Sequence, residues 1–363
     1  MIQESTPVGS CEVRIHFDIV VLGGGPAGSV TGLCLARMGW KVGIFEATAF
    51  DRQRHGETLP PEINPVLRRL GFWEVFLAQT PLESPGIVST WGSGRPVESD
   101  FIRNAFGCGW HIDRNRFDQM VAEQAVAAGA ELFLKCNPTW MRGDGKWEAE
   151  GIDADFVVDA AGRHGAPVSR AASRIREDEL VVIAIRISNG DRKSKDQRTW
   201  IETAPTGWWY STPLPDGSAL AMFFTGAEIY RTLGISIGDE LRSAPMARAR
   251  LEGRGGAATS VIYVPTGRRR ELFGDSWLLV GDSASSYDPL SGRGIFKALR
   301  HGEAAARAIN ATLRGDRGAL TTYAEQVSRE FHTYALQRQD FYSGERRWVE
   351  LPFWAARSKP LSY

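Results

Sequence analysis

Between residues 17 and 46, two short apolar runs flank a glycine-rich turn and the segment that follows it. The run Phe17–Leu22 is typical of a buried strand, and it leads directly into a GxGxxG turn over 23–28. We predict a helix over 28–38 and a second buried strand over 41–45, followed by Glu46. A strand, a glycine-rich turn, a helix and a second strand in this order predict the start of a parallel sheet that binds a dinucleotide.

Each glycine of the turn has its own predicted role. Gly23 permits the tight turn, Gly25 leaves room for a pyrophosphate against the backbone, and Gly28 lets the helix lie close to the strand. The phosphate would then accept hydrogen bonds from unpaired amides at the helix N-terminus. Glu46 lies about 20 residues further on and is expected to accept hydrogen bonds from an adenosine ribose, which favours FAD or NAD over NADP.

The rest of the chain divides into helical and strand-like segments. Apolar positions recur at helical spacing within 53–73, which should end near Gly71, and again over 113–132. Residues 85–110 and 180–263 instead show alternation interrupted by glycine and proline turns, which predicts an antiparallel sheet with a helical excursion over 233–245. The chain then returns to the first layer at 276–282, before a helix over Gly294–Leu313.

Composition removes several classes of function. The 363 residues carry a formal net charge of zero, so no field attracts nucleic acid or an anionic membrane. No segment approaches the ~20 apolar residues that span a bilayer, and the first sixteen residues lack a signal-peptide pattern, so a cytoplasmic protein without membrane insertion is expected. The four cysteines lack CxxC spacing, which favours reduced structural thiols over a metal site: Cys11, Cys34, Cys108 and Cys136.

Three separated motifs together resemble the FAD-dependent monooxygenase and halogenase superfamily of the p-hydroxybenzoate hydroxylase type. They are VVLGGGPAG (21–29), FVVDAAGRHG (156–165) and LLVGDSASSYDPLSGRGI (279–295). The resemblance implies FAD as the cofactor, with Asp282 holding the ribitol chain. It implies cofactor contacts from Gly23, Gly25, Pro26, Ala27, Gly28, Glu46, Ala47, Arg114, Asp159, Gly162, Gly281, Asp282, Pro289, Gly292, Gly294 and Ile295.

The same resemblance implies an α/β fold in which two domains interleave. A Rossmann-like FAD-binding domain of the GR2 type is expected over 1–84, 111–179 and 271–330. An antiparallel β-sheet substrate domain is expected over 85–110 and 180–270, and residues 331–363 form a helical, aromatic tail.

Further segments are most similar to the LodB/GoxB-like flavoproteins, which mature tryptophylquinone cofactors. These segments are GETLPP (56–61), GCGWHIDRNRFD (107–118), SYDPLSGRGIFKALRHG (286–302) and ERRWVELPFW (345–354). The resemblance implies an FAD monooxygenase that uses O2 and NAD(P)H as a transient reductant, and that hydroxylates an electron-rich ring. The substrate implied is a tryptophan in a precursor of an amine or amino-acid oxidase.

Five residues are candidates for the chemistry. His55 and His111 are candidate acids or bases, because histidine is the side chain that titrates near neutrality, although a structural role is the more common one for each histidine. Trp110 and Tyr210, with Trp208 and Trp209, are candidate walls that exclude water, or else packing between layers. Pro289 would shape the ring face of the flavin, beside the GRGI helix start whose amides would face a flavin carbonyl.

The motifs also leave room for functions besides the hydroxylation of a protein substrate. Halogenases of this superfamily carry a lysine downstream of the GExTxPP strap, whereas this chain has no lysine between Lys41 and Lys135. Their WxWxIP signature reads WWYSTP at Trp208–Pro213. A halogenase, a geranylgeranyl-reductase-like enzyme, a small-molecule aromatic hydroxylase and a non-catalytic flavoprotein chaperone are all compatible with the three FAD motifs.

Overall fold

The computed structural model describes residues 2–3, 15–143, 145–166, 168, 172–188, 196–252 and 257–359. Cys11 and the turns expected at Asn189–Gly190 and Gly255–Gly256 lie outside these residues.

A largely parallel sheet forms the centre of the first layer. Its strands are β1 (Ile2–Gln3), β2 (Ile15–Leu22), β3 (Val42–Glu46), β9 (Glu131–Leu134), β10 (Met141–Arg142), β11 (Trp147–Ala149), β12 (Ile152–Asp159), β18 (Phe273–Gly274) and β19 (Trp277–Leu279). The strand order is β1-β9-β3-β2-β12-β11-β10, with β19 paired to β12 and β18 paired to β19. All five residues of β3 are buried, as expected for a strand that is covered on both faces.

A second sheet is mostly antiparallel and contains the long strands. Its members are β6 (Gly86–Ser89), β7 (Val97–Asp100), β13 (Arg174–Ile187), β14 (Thr199–Ala204), β15 (Gly207–Pro213), β16 (Ala219–Gly226), β17 (Ala257–Arg269) and β20 (Ser285–Ser286), in the order β20-β17-β13-β16-β15-β14-β6-β7. A small third sheet has the order β4-β8-β5 and consists of β4 (Thr58–Leu59), β5 (Leu82–Ser84) and β8 (Gly109–His111). The 85–110 segment therefore contributes to two sheets, where the sequence pattern predicts one.

Helices pack around the two large sheets. They are α1 (Pro26–Arg37), α2 (Ile63–Leu70), α3 (Trp73–Leu77), α4 (Arg114–Ala127), α5 (Ala227–Leu233), α6 (Ile237–Arg242), α7 (Pro245–Leu251), α8 (Gly294–Leu313), α9 (Ala319–Gly344) and α10 (Pro352–Arg357). No helix in the described ranges is long and apolar enough to cross a membrane.

Close packing joins the two helices that start next to the glycine-rich motifs. A Cβ on Gly302 of α8 would lie 2.7 Å from the Ala27 carbonyl oxygen of α1. The Thr31 hydroxyl of α1, which donates a hydrogen bond to the Ala27 carbonyl at 2.8 Å, also lies 3.4 Å from the Gly302 carbonyl oxygen. The backbones of α1 and α8 can approach this closely only because residue 302 has no side chain.

The predicted fold class is confirmed: the protein is an α/β fold with a parallel and an antiparallel sheet. The helix predicted within 53–73 ends as expected, because Gly71 adopts a left-handed conformation with φ +81° after α2. The helical excursion is longer than predicted, since α5, α6 and α7 together extend from Ala227 to Leu251. The exact division into two domains stays a prediction.

Candidate functional site

Three turns converge at one edge of the parallel sheet. Strand β12 pairs with β2 on one side and β19 on the other, so Asp159 stands opposite both Leu22 and Leu279. The Ser283 hydroxyl oxygen lies 2.9 Å from an Asp159 carboxylate oxygen and 3.1 Å from the Gly162 carbonyl oxygen, so its one proton lies between these two acceptors. The turns that follow β2, β12 and β19 therefore border one another, and these turns contain the three sequence motifs.

Close contacts explain two of the three motif glycines in the first turn. Gly23 has a φ of +104°, and a Cβ there would lie 2.5 Å from the Ala160 carbonyl oxygen. A Cβ on Gly28 would lie 2.0 Å from the Gly23 carbonyl oxygen. At Gly25 the nearest atom to a Cβ would be Arg54 Nη1 at 3.9 Å, so this side of the turn is open. The space at Gly25 fits the predicted approach of a pyrophosphate.

Helices α1 and α8 begin beside these turns without a side-chain cap. Their N-cap residues are Gly25 and Arg293, and neither makes a side-chain capping hydrogen bond. A Cβ on Gly292 or Gly294 would meet no atom within 4 Å. The first amides of a helix need acceptors and favour negative charge. The two ends therefore fit FAD, with the pyrophosphate at α1 and a flavin carbonyl at α8.

Glu46 is buried and holds the glycine-rich turn. Its Oε2 accepts a hydrogen bond from the Gly24 amide at 2.9 Å. Its Oε1 accepts hydrogen bonds from the Thr48 amide at 3.0 Å and from Arg54 Nη2 at 2.8 Å. Both oxygens thus already have partners within the protein, and the ribose contact of Glu46 stays a prediction. Ala47, also predicted to contact the cofactor, is exposed next to it.

Two arginines share one buried carboxylate near Glu46. Asp118 is fully buried, and its oxygens accept hydrogen bonds from Arg54 Nη1 and Arg114 Nε, each at 2.8 Å. Arg114 Nη1 also donates to the His55 carbonyl at 2.6 Å. Arg54 is also paired with Glu46 at 2.8 Å, so the charges of Arg54 and Arg114 are balanced by the carboxylates of Asp118 and Glu46. The motifs predict a nucleotide contact for Arg114, and the structure adds Arg54 beside it.

A cavity of about 440 Å³ opens beside these arginines, between the two large sheets. Phe50, Arg54, Glu57 and Arg114 line it from the side of the parallel sheet. Residues 214–216, from the turn after β15, line it from the antiparallel side. The cavity is therefore a cleft between layers, where ligand sites commonly occur.

Asp282, the predicted ribitol anchor, is part of a three-residue charge group. Its Oδ1 accepts a hydrogen bond from Lys297 Nζ at 2.7 Å, and its Oδ2 accepts one from Arg163 Nε at 2.9 Å. Burial alone would raise the pKa of Asp282, but Lys297 and then Arg163 outweigh it and hold the pKa well below its usual range. Asp282 is therefore ionised at neutral pH, and about a quarter of its side chain (26%) is exposed.

His111 lies in a buried polar cluster at the end of β8. Its Nε2 is 2.6 Å from the Gln197 carbonyl, which can only accept, so Nε2 carries the proton and Nδ1 is the acceptor. The hydroxyls of Thr58 and Thr212 lie 3.0 and 2.8 Å from Nδ1. Burial lowers the pKa of His111 to about 4, so the ring is neutral at pH 7.

Tyr210 joins this cluster through Thr58. The Tyr210 phenol and the Thr58 hydroxyl are hydrogen-bonded to each other. Burial raises the pKa of Tyr210 well above its ordinary value, so the phenol keeps its proton at neutral pH. The structure thus brings together His111 and Tyr210, two residues from different sheets that the sequence suggests separately.

His55 and Pro289 lie near other parts of the site. His55 Nδ1 is 3.1 Å from Glu57 Oε1, and Glu57 Oε2 accepts a hydrogen bond from the Gly56 amide at 2.8 Å. Glu57 is buried and lines the cavity, which places His55 in the strap beside it. Pro289 is half-buried and starts the short 3-10 turn that precedes α8. The catalytic roles of both residues stay predictions.

The tryptophans suggested as walls lie mainly in packed cores. Trp110 donates its Nε1 hydrogen to Asn64 at 2.7 Å and packs edge-on against Phe76. Trp208 stacks on Phe224 with ring centroids 3.9 Å apart, while Trp209 is fully buried on the other face of β15. Neighbouring residues of a strand point to opposite faces, which explains why these two separate. Their positions favour packing between layers over a wall of the cleft.

Sequence reasoning missed several polar residues of the site. Glu57 and Thr58 belong to the GETLPP motif, so the sequence indicates their position but not their partners. Lys297 stands in the GRGIFKAL segment, and a lysine on the otherwise buried side of α8 is itself a signal that it has an anionic partner. Arg163 and Thr212 lie in the quoted segments FVVDAAGRHG (156–165) and WWYSTP (208–213), which likewise do not indicate their partners. Arg54 carries no comparable local signal.

A family model described as tryptophan halogenase matches residues 95–361, well over half of the chain. The chain belongs to the tryptophan halogenase family. The predicted FAD-dependent superfamily is therefore confirmed, and the halogenase family is the more specific assignment. Family membership supports FAD as the cofactor and a flavin-dependent, halogenase-like enzyme.

Relatives within this family carry more than one activity in their names. The putative FAD-dependent oxidoreductase LodB of Marinomonas mediterranea is 25% identical over 94% of this chain and 96% of its own length. Tryptophan 2-halogenase of Chondromyces crocatus is 26% identical over 93% of this chain and 70% of its own length.

Two solved structures illustrate the same range. The flavin-dependent halogenase CmlS superimposes with a TM-score of 0.83 and 24% identity, and the match covers 96% of this chain and 68% of that chain. At this identity the likeness shows a shared fold only. The peptidyl tryptophan dihydroxylase QhpG, described as essential for tryptophylquinone cofactor biogenesis, has a TM-score of 0.77 and 25% identity, covering 94% of this chain and 79% of its own.

Proposed function

We propose that this protein is an FAD-dependent monooxygenase that hydroxylates the indole ring of a tryptophan in a partner protein, the precursor of a tryptophylquinone-containing oxidase. The likeness to LodB extends over nearly the whole of both chains, whereas the chain spans 70% of the tryptophan 2-halogenase. QhpG adds a relative that is described as acting on a peptidyl tryptophan.

The observation that carries the proposal is the absence of a lysine from the strap region. Halogenases of the superfamily use a lysine downstream of the strap to capture hypohalous acid, and no lysine occurs here between Lys41 and Lys135. Two of the cations near the strap are Arg54 and Arg114, both bound to Asp118. A guanidinium keeps its proton at neutral pH and does not replace a reactive amine.

The overall reaction balances as an oxygen insertion. One atom of O2 converts a ring C–H into C–OH, and the other leaves as water after accepting two electrons and two protons. We propose NAD(P)H as the transient source of the electrons. Reduced FAD, when bound, would supply the activation of O2.

The chain's own groups would hold the cofactor and move a proton. The open backbone at Gly25 and the start of α8 would receive the pyrophosphate and the flavin carbonyl. The Tyr210 phenol, the Thr58 hydroxyl and His111 Nδ1 form a continuous hydrogen-bonded chain. A proton released by the ring can pass along this chain to neutral His111, which makes Thr58 the connecting group.

The proposal is tested by mass spectrometry of a precursor protein. The precursor is incubated with this protein, FAD, NADH, a flavin reductase and air, with chloride and bromide present. We expect one or two added oxygen atoms on a tryptophan, and no addition under nitrogen. Tyr210→Phe should slow the addition, while Tyr263→Phe, which removes an exposed hydroxyl on β17, should not. An unchanged precursor mass would refute the proposal.

Halogenation is the second candidate, because the family model and most of the relatives bear that name. The same experiment separates the two activities. A product with the chlorine or bromine isotope pattern would replace hydroxylation by halogenation as the function.

A further inference from the structure

The long helix α9 holds the turn before α8 through a buried aspartate. Asp288 is fully buried, and its Oδ2 accepts hydrogen bonds from Arg338 Nε at 3.1 Å and from the Tyr342 hydroxyl at 2.9 Å. The Asp288 amide donates to the Tyr334 hydroxyl at 2.7 Å. Tyr334, Arg338 and Tyr342 are four residues apart and therefore share one face of α9.

The same charges connect the turn to the antiparallel sheet. Arg338 Nη2 also bonds Asp178 on β13, and Arg357 of α10 donates to Asp178 at 2.7 Å. The side chains of Arg338 and Arg357 are only 2% and 6% exposed. Two buried cations thus balance the buried Asp288 and the partly buried Asp178, and loss of any one of the four leaves an uncompensated charge.

Asp288 in turn determines the shape of the segment that leads into α8. Its Oδ1 accepts a hydrogen bond from the Leu290 amide at 2.9 Å, which caps the 3-10 turn Pro289–Ser291. The chain then reverses at Gly292, whose φ is +59°, and α8 begins at Gly294. The Asp288 carboxylate therefore connects α9 directly to the turn that leads to the uncapped amides of α8.

We propose that Arg338 and Tyr342 are positioning residues for the cofactor, which act through Asp288 to aim the 288–294 turn at the flavin. Neither residue lies in any of the three motifs, and α9 begins after the last of them. The proposal depends on FAD binding at this turn and does not depend on hydroxylation, since it concerns the affinity for the cofactor without a substrate.

The test measures the dissociation constant of FAD on flavin-free protein by quenching of flavin fluorescence. Tyr342→Phe removes one hydrogen bond to Asp288 and keeps the buried ring. We expect it to weaken FAD binding about tenfold, the size of one hydrogen bond to a charged group. Arg338→Gln should weaken it further, and Arg338→Lys should recover part of the loss. Arg329→Gln, on the same helix but 67% exposed, is the matched control and should bind FAD normally.

A purely structural role would give a different result. It would lower the melting temperature of the flavin-free protein and leave the FAD dissociation constant of Tyr342→Phe unchanged, which would overturn the proposal. If Arg338→Gln does not fold, the comparison of Tyr342→Phe with Arg329→Gln decides the matter. The visible absorption bands of bound FAD provide a second readout, since a displaced turn should shift them relative to the wild-type protein.

Discussion

His111 makes the stability of the folded protein depend on pH. The folded state holds its pKa at about 4, below the ordinary value of 6.5, so the unfolded chain binds a proton first as the pH falls. The contribution of His111 to stability is therefore complete above pH 6.5 and is lost progressively towards pH 4. His301, also buried with a lowered pKa, acts in the same direction.

Urea unfolding at pH 7 and pH 5 checks this expectation. His111→Gln should show a smaller loss of unfolding free energy between the two pH values than the wild-type protein. His332→Gln, at an exposed position of α9, should keep the wild-type difference. Equal pH dependence in all three proteins would contradict the assigned role of His111.

Asp282→Ala should yield mostly flavin-free protein, because it removes the predicted ribitol anchor. It also leaves buried Lys297 without its carboxylate partner, so a loss of stability would accompany the loss of flavin. The double variant Asp282→Ala with Lys297→Met removes the unpaired charge and separates the two effects. We expect this variant to melt closer to the wild-type temperature and to remain colourless. A fully yellow double variant would refute the anchor assignment.

At the scale of elements, two glycines of the glycine-rich turn differ in the space around them: a side chain is excluded at Gly28 but not at Gly25. A Cβ on Gly28 would lie 2.0 Å from the Gly23 carbonyl oxygen, so Gly28→Ala must displace α1 from β2. Overpacking of this kind costs about 1–3 kcal/mol. Gly25→Ala meets only Arg54 Nη1 at 3.9 Å and has an ordinary φ of −70°, so it should fold normally.

Thermal stability and FAD affinity should distinguish the Gly28→Ala and Gly25→Ala variants. Thermal unfolding of the flavin-free proteins should show a lowered melting temperature for Gly28→Ala and a normal one for Gly25→Ala. FAD titration should show weak binding by Gly25→Ala, because its methyl group occupies the space predicted for the pyrophosphate. Normal FAD affinity in Gly25→Ala would place the phosphate elsewhere.

The sequence predicts those elements whose signals are local. The apolar run before Gly23 and the stop at Gly71 are signals of this kind, and β2 and α2 lie where they indicate. The cluster of Thr58, His111 and Tyr210 is not predictable as a unit, because its members meet only through the pairing of β4 with β8 and the packing of β15. Such pairings leave no periodic signal along the chain.

At the scale of the whole molecule, the C-terminal tail is part of the core of the antiparallel layer. Trp354 is only 1% exposed, donates to the Ala204 carbonyl at 3.0 Å and packs against Trp91 and Tyr342. Trp354→Ala should therefore lower the free energy of unfolding by about 3–5 kcal/mol.

Denaturant unfolding checks the effect of Trp354→Ala on the complete protein. Trp348→Ala, at a half-buried position of the same tail, is the control and should cost clearly less. If both variants unfold at the wild-type denaturant concentration, the tail does not contribute to the core in the way described.

The turns of the proposed cofactor site follow β2, β12 and β19, so the first and the last are separated by more than two hundred residues of chain. Strand β19 can complete the sheet only after residue 279 has been synthesised, and the Asp288 turn acquires its partners only with α9. A nascent chain on the ribosome exposes its N-terminal part first. We therefore expect flavin to bind only after α9 has been synthesised, and cells starved of the vitamin precursor should accumulate full-length apoprotein.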